Sequence, residues 1–159
     1  MNIKMLVMDV DGTLTDGRVY IGSNGELMKA FDVKDGYAVA RLRNYGIEPV
    51  IITGRKSKIV QERAKELKIT ELYQGVEDKL DKLKELALSY KLTADEIAYI
   101  GDDLNDLSCI NYCGLTACPG DSVEQIKKSV NYVCKNYGGR GAVREFIDKK
   151  IILINFEGK

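Results

Sequence analysis

The sequence contains no histidine. Every mechanism that runs through an imidazole is therefore closed to it: Ser-His-Asp and Cys-His triads, histidine general bases, and most zinc hydrolase sites. Any catalysis has to use carboxylates, lysine, arginine, hydroxyls, thiols or a hard metal ion. Net charge is missing too, with 24 Lys plus Arg against 24 Asp plus Glu. No broad field draws in nucleic acid or an anionic membrane, although a local positive pocket is compatible with this balance. No CxxC pair occurs. Cys109, Cys113, Cys118 and Cys134 are spaced too loosely for paired zinc ligands, and they read as reduced, mostly buried thiols of a cytoplasmic protein. No run approaches the ~20 apolar residues that span a bilayer. The stretch from Met1 into the first apolar run lacks a signal-peptide pattern.

What remains is a chain of 159 residues, 45% hydrophobic and 30% charged, which suits one domain over 1–159 with a proper core and little room for a second. Short apolar runs alternate with amphipathic stretches. Strands are expected at Met5–Val10, Pro49–Ile52, Leu72–Gln74, Ile97–Ile100, Gly114–Cys118 (edge-like) and Tyr132–Cys134. Helices are expected at Asp35–Tyr45 with Gly46 as its stop, and at Ser57–Leu67, Lys79–Tyr90, Leu104–Asn111, Ser122–Lys128 and Ala142–Lys149. Thr93 and Glu96 have the spacing of a capping box. Strands separated by helices imply an α/β fold: a doubly wound, Rossmann-like parallel sheet with helices on both faces. One segment, about 17–33, breaks the alternation. It reads as a β-hairpin, Arg18–Ile21 and Glu26–Phe31 around a Gly/Asn turn, projecting over the end of the first strand.

Four polar clusters fall at or just after expected strand ends, which is where open α/β sheets bind ligands. Asp9 and Asp11 flank Val10 before Gly12 and Thr13. Two carboxylates so close call for a cation, and Mg²⁺ suits them, though Asp-Gly is also an ordinary turn signal. Thr53-Gly54-Arg55 supplies a hydroxyl and free N–H groups ahead of a helix, fit for a phosphate, although a helix cap by Thr53 is the plainer reading of this cluster alone. Lys79 opens a helix, where the dipole disfavours a cation. A solvated surface lysine is the plainer reading of that residue alone. Gly101-Asp102-Asp103-Leu104-Asn105-Asp106 offers three carboxylates as metal ligands or their supports, or a solvated acidic loop.

Taken together and in this order, DxDGT, Thr-Gly, a lone Lys and GDDxxD resemble the haloacid dehalogenase superfamily over roughly 5–106. Further segments around Asp9–Arg18, Lys34–Gly36, Ile52–Ser57, Tyr73–Leu80 and Gly138–Glu145 look like its capless branch of sugar-acid phosphatases. The resemblance implies Asp9 as nucleophile and Asp11 as general acid/base. It implies Thr53, Gly54 and Lys79 on the phosphoryl oxygens, and Mg²⁺ on Asp9, the Asp11 carbonyl and Asp102, with Asp103 and Asp106 orienting the metal and its waters or replacing one another as ligand. It implies a phosphomonoesterase that hydrolyses 3-deoxy-D-manno-octulosonate 8-phosphate, as in lipopolysaccharide biosynthesis, with a nine-carbon keto acid 9-phosphate as the rival substrate. A silent binding module is the rival of another class, and a phosphotransferase a third. Arg55 and Arg63 are the candidates for the substrate carboxylate. The resemblance also implies a homotetramer built on the hairpins, with Tyr20, Ile21, Leu27 and Phe31 at the interface. The segment about 138–159 is a tail: Gly138, Gly139 and Arg140 suggest either a mobile stretch that reaches a nearby site or an ordinary loop before the last helix. The residues after Lys150 add a strand, cover a neighbour or join the local core.

Overall fold

The computed structural model describes residues 2–157. Six parallel strands form one sheet: β1 (Met5–Met8), β4 (Glu48–Ile52), β5 (Glu71–Tyr73), β6 (Ile97–Ile100), β7 (Leu115–Cys118) and β8 (Tyr132–Val133), in the order β5-β4-β1-β6-β7-β8. β2 (Tyr20–Gly22) and β3 (Gly25–Met28) form the separate antiparallel hairpin. The strands read as continuous apolar runs because both faces of the sheet are covered. Alternation along β1 sends Leu6 and Met8 to one core with Ile51, Ile100, Val39, Val60 and Phe146. It sends Met5 and Val7 to the other, with Val50, Ile52, Leu83, Tyr99 and Cys109. α1 (Val33–Ala40), α2 (Lys58–Glu66) and α6 (Ala142–Phe146) supply the first core; α3 (Lys79–Ser89), α4 (Leu107–Tyr112) and α5 (Glu124–Lys127) supply the second.

Parallel register puts the ends of the three central strands side by side. Met8 pairs with Ile51 on one flank and Ile100 on the other. Whatever follows β1, β4 and β6 therefore emerges at one edge of the sheet, and no cap domain stands over it. Several boundaries differ from the sequence expectation. The helix expected over Asp35–Tyr45 ends at Ala40 and continues as a tighter 3₁₀ turn, Leu42–Tyr45, closed by left-handed Gly46. That turn buries Leu42 while leaving Tyr45 exposed. Leu115–Cys118 is not an edge strand: β6 and β8 pair with it on either side, and all four of its residues are buried. The last helix does not stop at Lys149 but runs on as a wide-turned helix, Ile147–Glu157. The tail is thus local core of its own chain: buried Asn155 accepts from Ile3 N–H (2.9 Å) and donates to Ile3 C=O (2.8 Å). Among the described residues, no helix is long and apolar enough to cross a membrane.

Candidate active site

Asp9 follows β1 and is buried, as is Thr53 after β4, while Asp102 follows β6. These positions, with Asp11, Gly17, Val19, Gly54, Arg55, Asp103, Leu104 and Asn105, line a cavity of about 460 Å³ at the carboxyl edge of the sheet. The sharp turn after β1 depends on Gly12, whose φ of +90° is left-handed and whose missing side chain makes room for Asp102; a Cβ there would lie 2.0 Å from Asp102 Oδ2. Thr13 donates its hydroxyl to Asp102 Oδ1 (3.1 Å), tying the loop after β1 to the loop after β6.

Lys79 reaches the same place from the first turn of α3. The plain reading as a surface lysine does not hold: its side chain is 2% exposed, with Nζ 2.9 Å from Asp9 Oδ1 and 2.7 Å from Asp106 Oδ1. Burial by itself pushes its pKa down, but the two carboxylates outweigh that and raise it. They also offset the unfavourable helix dipole. Asp106 is fully buried and saturated: it accepts from Lys79, from Tyr99 Oη (2.6 Å) and from the backbone N–H groups of Asp102 (3.0 Å) and Asp103 (3.3 Å). Asp103 is different in kind, capping the turn that starts at Leu104 through a 2.7 Å bond to its N–H.

Carboxylate oxygens of Asp9, Asp102 and Asp106 lie within 4.8 Å of one another. Burial, then the Asp106 charge, raises Asp9 to about 6 in spite of Lys79. Burial, then Asp9 and Asp106, raises Asp102 to about 8. So many crowded anions are stable only with added positive charge, which makes the cluster a fit for a hard divalent cation. Asp9 and Asp102, each with one oxygen engaged, could hold it; both oxygens of Asp106 are already engaged.

The loop between β8 and α6 braces the turn after β1 from beneath. Gly139 donates its N–H to Thr13 C=O (3.1 Å). Gly138 lies so close that a Cβ on it would sit 1.9 Å from the Gly12 carbonyl oxygen. Gly138 and Gly139 are therefore a fixed support of the loop after β1.

The sequence profile of the family described as haloacid dehalogenase-like hydrolase matches residues 68–147. The 3-deoxy-D-manno-octulosonate 8-phosphate phosphatase KdsC of Escherichia coli is 42% identical over 158 residues, covering 99% of this chain and 82% of that protein. The chain belongs to the haloacid dehalogenase-like hydrolase family. Solved structures agree with this hydrolase across its length. The octulosonate phosphatase of Yersinia pestis superposes with a TM-score of 0.92 at 42% identity, covering 99% of this chain and 85% of that one. That of Moraxella catarrhalis, solved with magnesium, phosphate and the sugar acid, does so with 0.91 at 40%, covering 98% and 89%.

Of the residues singled out in the sequence, the hydrolase brings together Asp9, Asp11, Thr53, Gly54, Arg55, Lys79, Asp102, Asp103 and Asp106. It does not bring Arg63 into this cavity. The Arg63 guanidinium donates to Asp32 C=O (3.2 Å), pairs with Glu66 (2.8 Å) and lies 5.4 Å from the centre of the Phe31 ring. Phe31 in turn packs against the core, so it is not part of an exposed hairpin face. Lys29 and Glu26 went unnoticed in the sequence. Lys29 Nζ bonds Asp11 Oδ1 and lies 2.8 Å from Glu26 Oε1, and its side chain is 1% exposed. Neither position carries a motif signal, because a lysine at the end of a hairpin strand looks like any solvated one.

Proposed function

We propose that the chain is a Mg²⁺-dependent phosphatase of 3-deoxy-D-manno-octulosonate 8-phosphate, acting through a phosphoryl group carried on Asp9. One observation carries this reading: Asp9, buried at the end of β1, has Lys79 at 2.9 Å on one oxygen and the Asp102 carboxylate within the same 4.8 Å group. A nucleophile, a fixed cation and a metal-ligand set thus meet at one point. The identity of this chain to the E. coli and M. catarrhalis phosphatases supports the choice of substrate.

In this reading Asp9 attacks phosphorus in line with the sugar oxygen, and the P–O bond to the sugar breaks as the Asp9–phosphorus bond forms. Asp11 gives its proton to the departing oxygen, then takes one from the water that cleaves the aspartyl-phosphate. Thr53, the Gly54 N–H and Lys79 hold the equatorial oxygens. When bound, Mg²⁺ on Asp9, Asp102 and the Asp11 carbonyl supplies the charge that lets an anionic nucleophile approach a phosphate dianion. Arg55, with its side chain 52% exposed at the cavity, is the partner for the substrate carboxylate.

The whole chain acts as one domain, with the hairpin as its projecting element. Tyr20, Ile21, Leu27 and Met28 are exposed on that hairpin, which suits burial in a homotetramer. The four free thiols suit a reducing cytoplasm.

Asp9→Asn should abolish phosphate release from the eight-carbon substrate in the presence of Mg²⁺ and leave the far-UV circular dichroism unchanged. An active Asn variant would remove Asp9 as nucleophile. Faster turnover of a nine-carbon keto acid 9-phosphate would move the assignment to that substrate, and no turnover of either by the parent chain would leave a binding module.

A further inference from the structure

Asp11 has two carboxylate oxygens, and they meet different surroundings. Oδ1 bonds Lys29 Nζ, whose side chain is 1% exposed; Oδ2 stands 3.9 Å from Arg55 Nε on the cavity side, whose side chain is 52% exposed. A solvated lysine making a casual surface pair would keep its ammonium in water. This one is enclosed between two carboxylates, with Glu26 Oε1 at 2.8 Å as the second. Glu26 is itself held, its Oε2 accepting from the Ser57 hydroxyl. Ser57 caps α2, accepting from Val60 N–H (3.3 Å), and its own N–H donates to Gln74 Oε1 (2.8 Å). A continuous polar chain, Asp11–Lys29–Glu26–Ser57, thus runs from the loop after β1, through Lys29 just past β3 and Glu26 within it, to the start of the helix that follows Thr53-Gly54-Arg55.

We propose that Lys29 is a positioning residue for proton transfer: it fixes Oδ1 of Asp11 from the hairpin and leaves Oδ2 as the oxygen that exchanges the proton. The inference rests on the reading of Asp11 as general acid/base. An aspartate on a turn is otherwise free to visit several staggered rotamers, and only one of them aims an oxygen at the scissile bond. Because the clamp comes from the residue that follows β3 and its other end from the cap of α2, the seating of the hairpin sets the aim of the carboxylate.

Lys29→Met, Lys29→Arg, Asp11→Asn and the Asp11→Asn/Lys29→Met pair decide the matter in the full chain with Mg²⁺. They are compared on the keto-sugar-acid phosphate, whose alkoxide needs a proton to leave, and on 4-nitrophenyl phosphate, whose phenolate does not. Lys29→Met should lower kcat/KM for the sugar phosphate by about 10- to 100-fold, as misaimed groups do, with KM within about twofold. On 4-nitrophenyl phosphate the loss in kcat/KM, which covers only the steps up to departure of the phenolate, should be under about threefold. Lys29→Arg should recover most of the activity, which a misfolded hairpin would not allow. In the Asp11→Asn background the Met change should cost nothing further. Equal losses on both substrates, or losses that add to those of Asp11→Asn, overturn the assignment. An impaired Asp11→Asn beside a fully active Lys29→Met overturns it alone and leaves the acid/base role standing. A fully active Asp11→Asn overturns both.

Discussion

Replacing Lys79 by methionine keeps most of the side-chain length and deletes the charge. Its ammonium stands 2.9 Å from Asp9 and 2.7 Å from Asp106, with the three side chains 2%, 7% and 0% exposed. Its loss leaves two buried carboxylates facing each other, with Asp102 in the same group. Deleting one partner of a buried ion pair costs about 3–5 kcal/mol. With an unfolding entropy of about 2.1 cal/mol/K per residue, a chain of 159 residues has roughly 0.33 kcal/mol/K, so Tm of the metal-free protein should fall by about 9–15 °C. Part of the cost is escaped by taking up a proton, for which Asp9, raised to about 6 although Lys79 pulls it down, is the first acceptor; Asp102, at about 8, already holds its proton near neutrality. The fall should therefore be smallest at about pH 5 and grow towards about pH 9. Mg²⁺ should recover part of it by replacing the missing charge. Scanning fluorimetry in EDTA across that range, then with Mg²⁺, measures all three effects. A Tm within about 2 °C of the parent at every pH in EDTA would mean that the ammonium does not neutralise this cluster.

Two more outcomes follow from the same electrostatics. Asp9, at about 6, and Asp102, at about 8, both lie above the ordinary 3.8, so the folded metal-free chain holds these protons more tightly than the unfolded one. Their contribution to stability is complete below about pH 4 and is lost as the pH rises through about 6 and then about 8. The rise in Tm on adding a fixed Mg²⁺ concentration should grow across that window, and a flat response would contradict it. Glu145 has the opposite sign. Burial alone would raise it, but N–H groups of Asn136 (2.9 Å) and Lys135 (3.1 Å) and the Tyr132 hydroxyl (2.7 Å) pull it from 4.5 to about 2. Its contribution is present above about pH 4.5 and lost as the pH falls towards about 2. Glu145→Gln should cost about 2–3 kcal/mol in urea unfolding near neutrality, with the gap narrowing from about pH 5 to about pH 3. A gap that does not change with pH would contradict it.

Much of this was readable before any coordinates. Apolar runs of strand length separated by amphipathic stretches led directly to the parallel sheet, and placing Asp9, Thr53 and Asp102 after three of its strands was enough to foresee that they meet. Lys79 was harder. Local rules treat a lysine at a helix start as exposed, and only the tertiary approach of Asp9 and Asp106 makes burial favourable. Lys29 was invisible, because the contact that matters depends on how a hairpin seats on a loop 18 residues away. Leu115–Cys118 looked like an edge because its partner on the outer side, β8, is only two residues long. The tail stayed open between strand, neighbour contact and local core for another reason: Ile151 is buried, but the pattern there follows a wide-turned helix, which neither a period of 3.6 nor one of 2 describes.

The close fit of Gly138 and Gly139 under the Gly12–Thr15 turn has a meaning for how the enzyme is made. The backbone that braces both carboxylates of the DxD motif is synthesised more than 120 residues after them. At about 5–20 residues per second Asp9 waits several seconds, tethered and unbraced, for its support. A nascent chain that stops short of residues 138–139 would carry Asp9, Asp11, Asp102, Asp103 and Asp106 and still lack the brace under the turn that holds the first two.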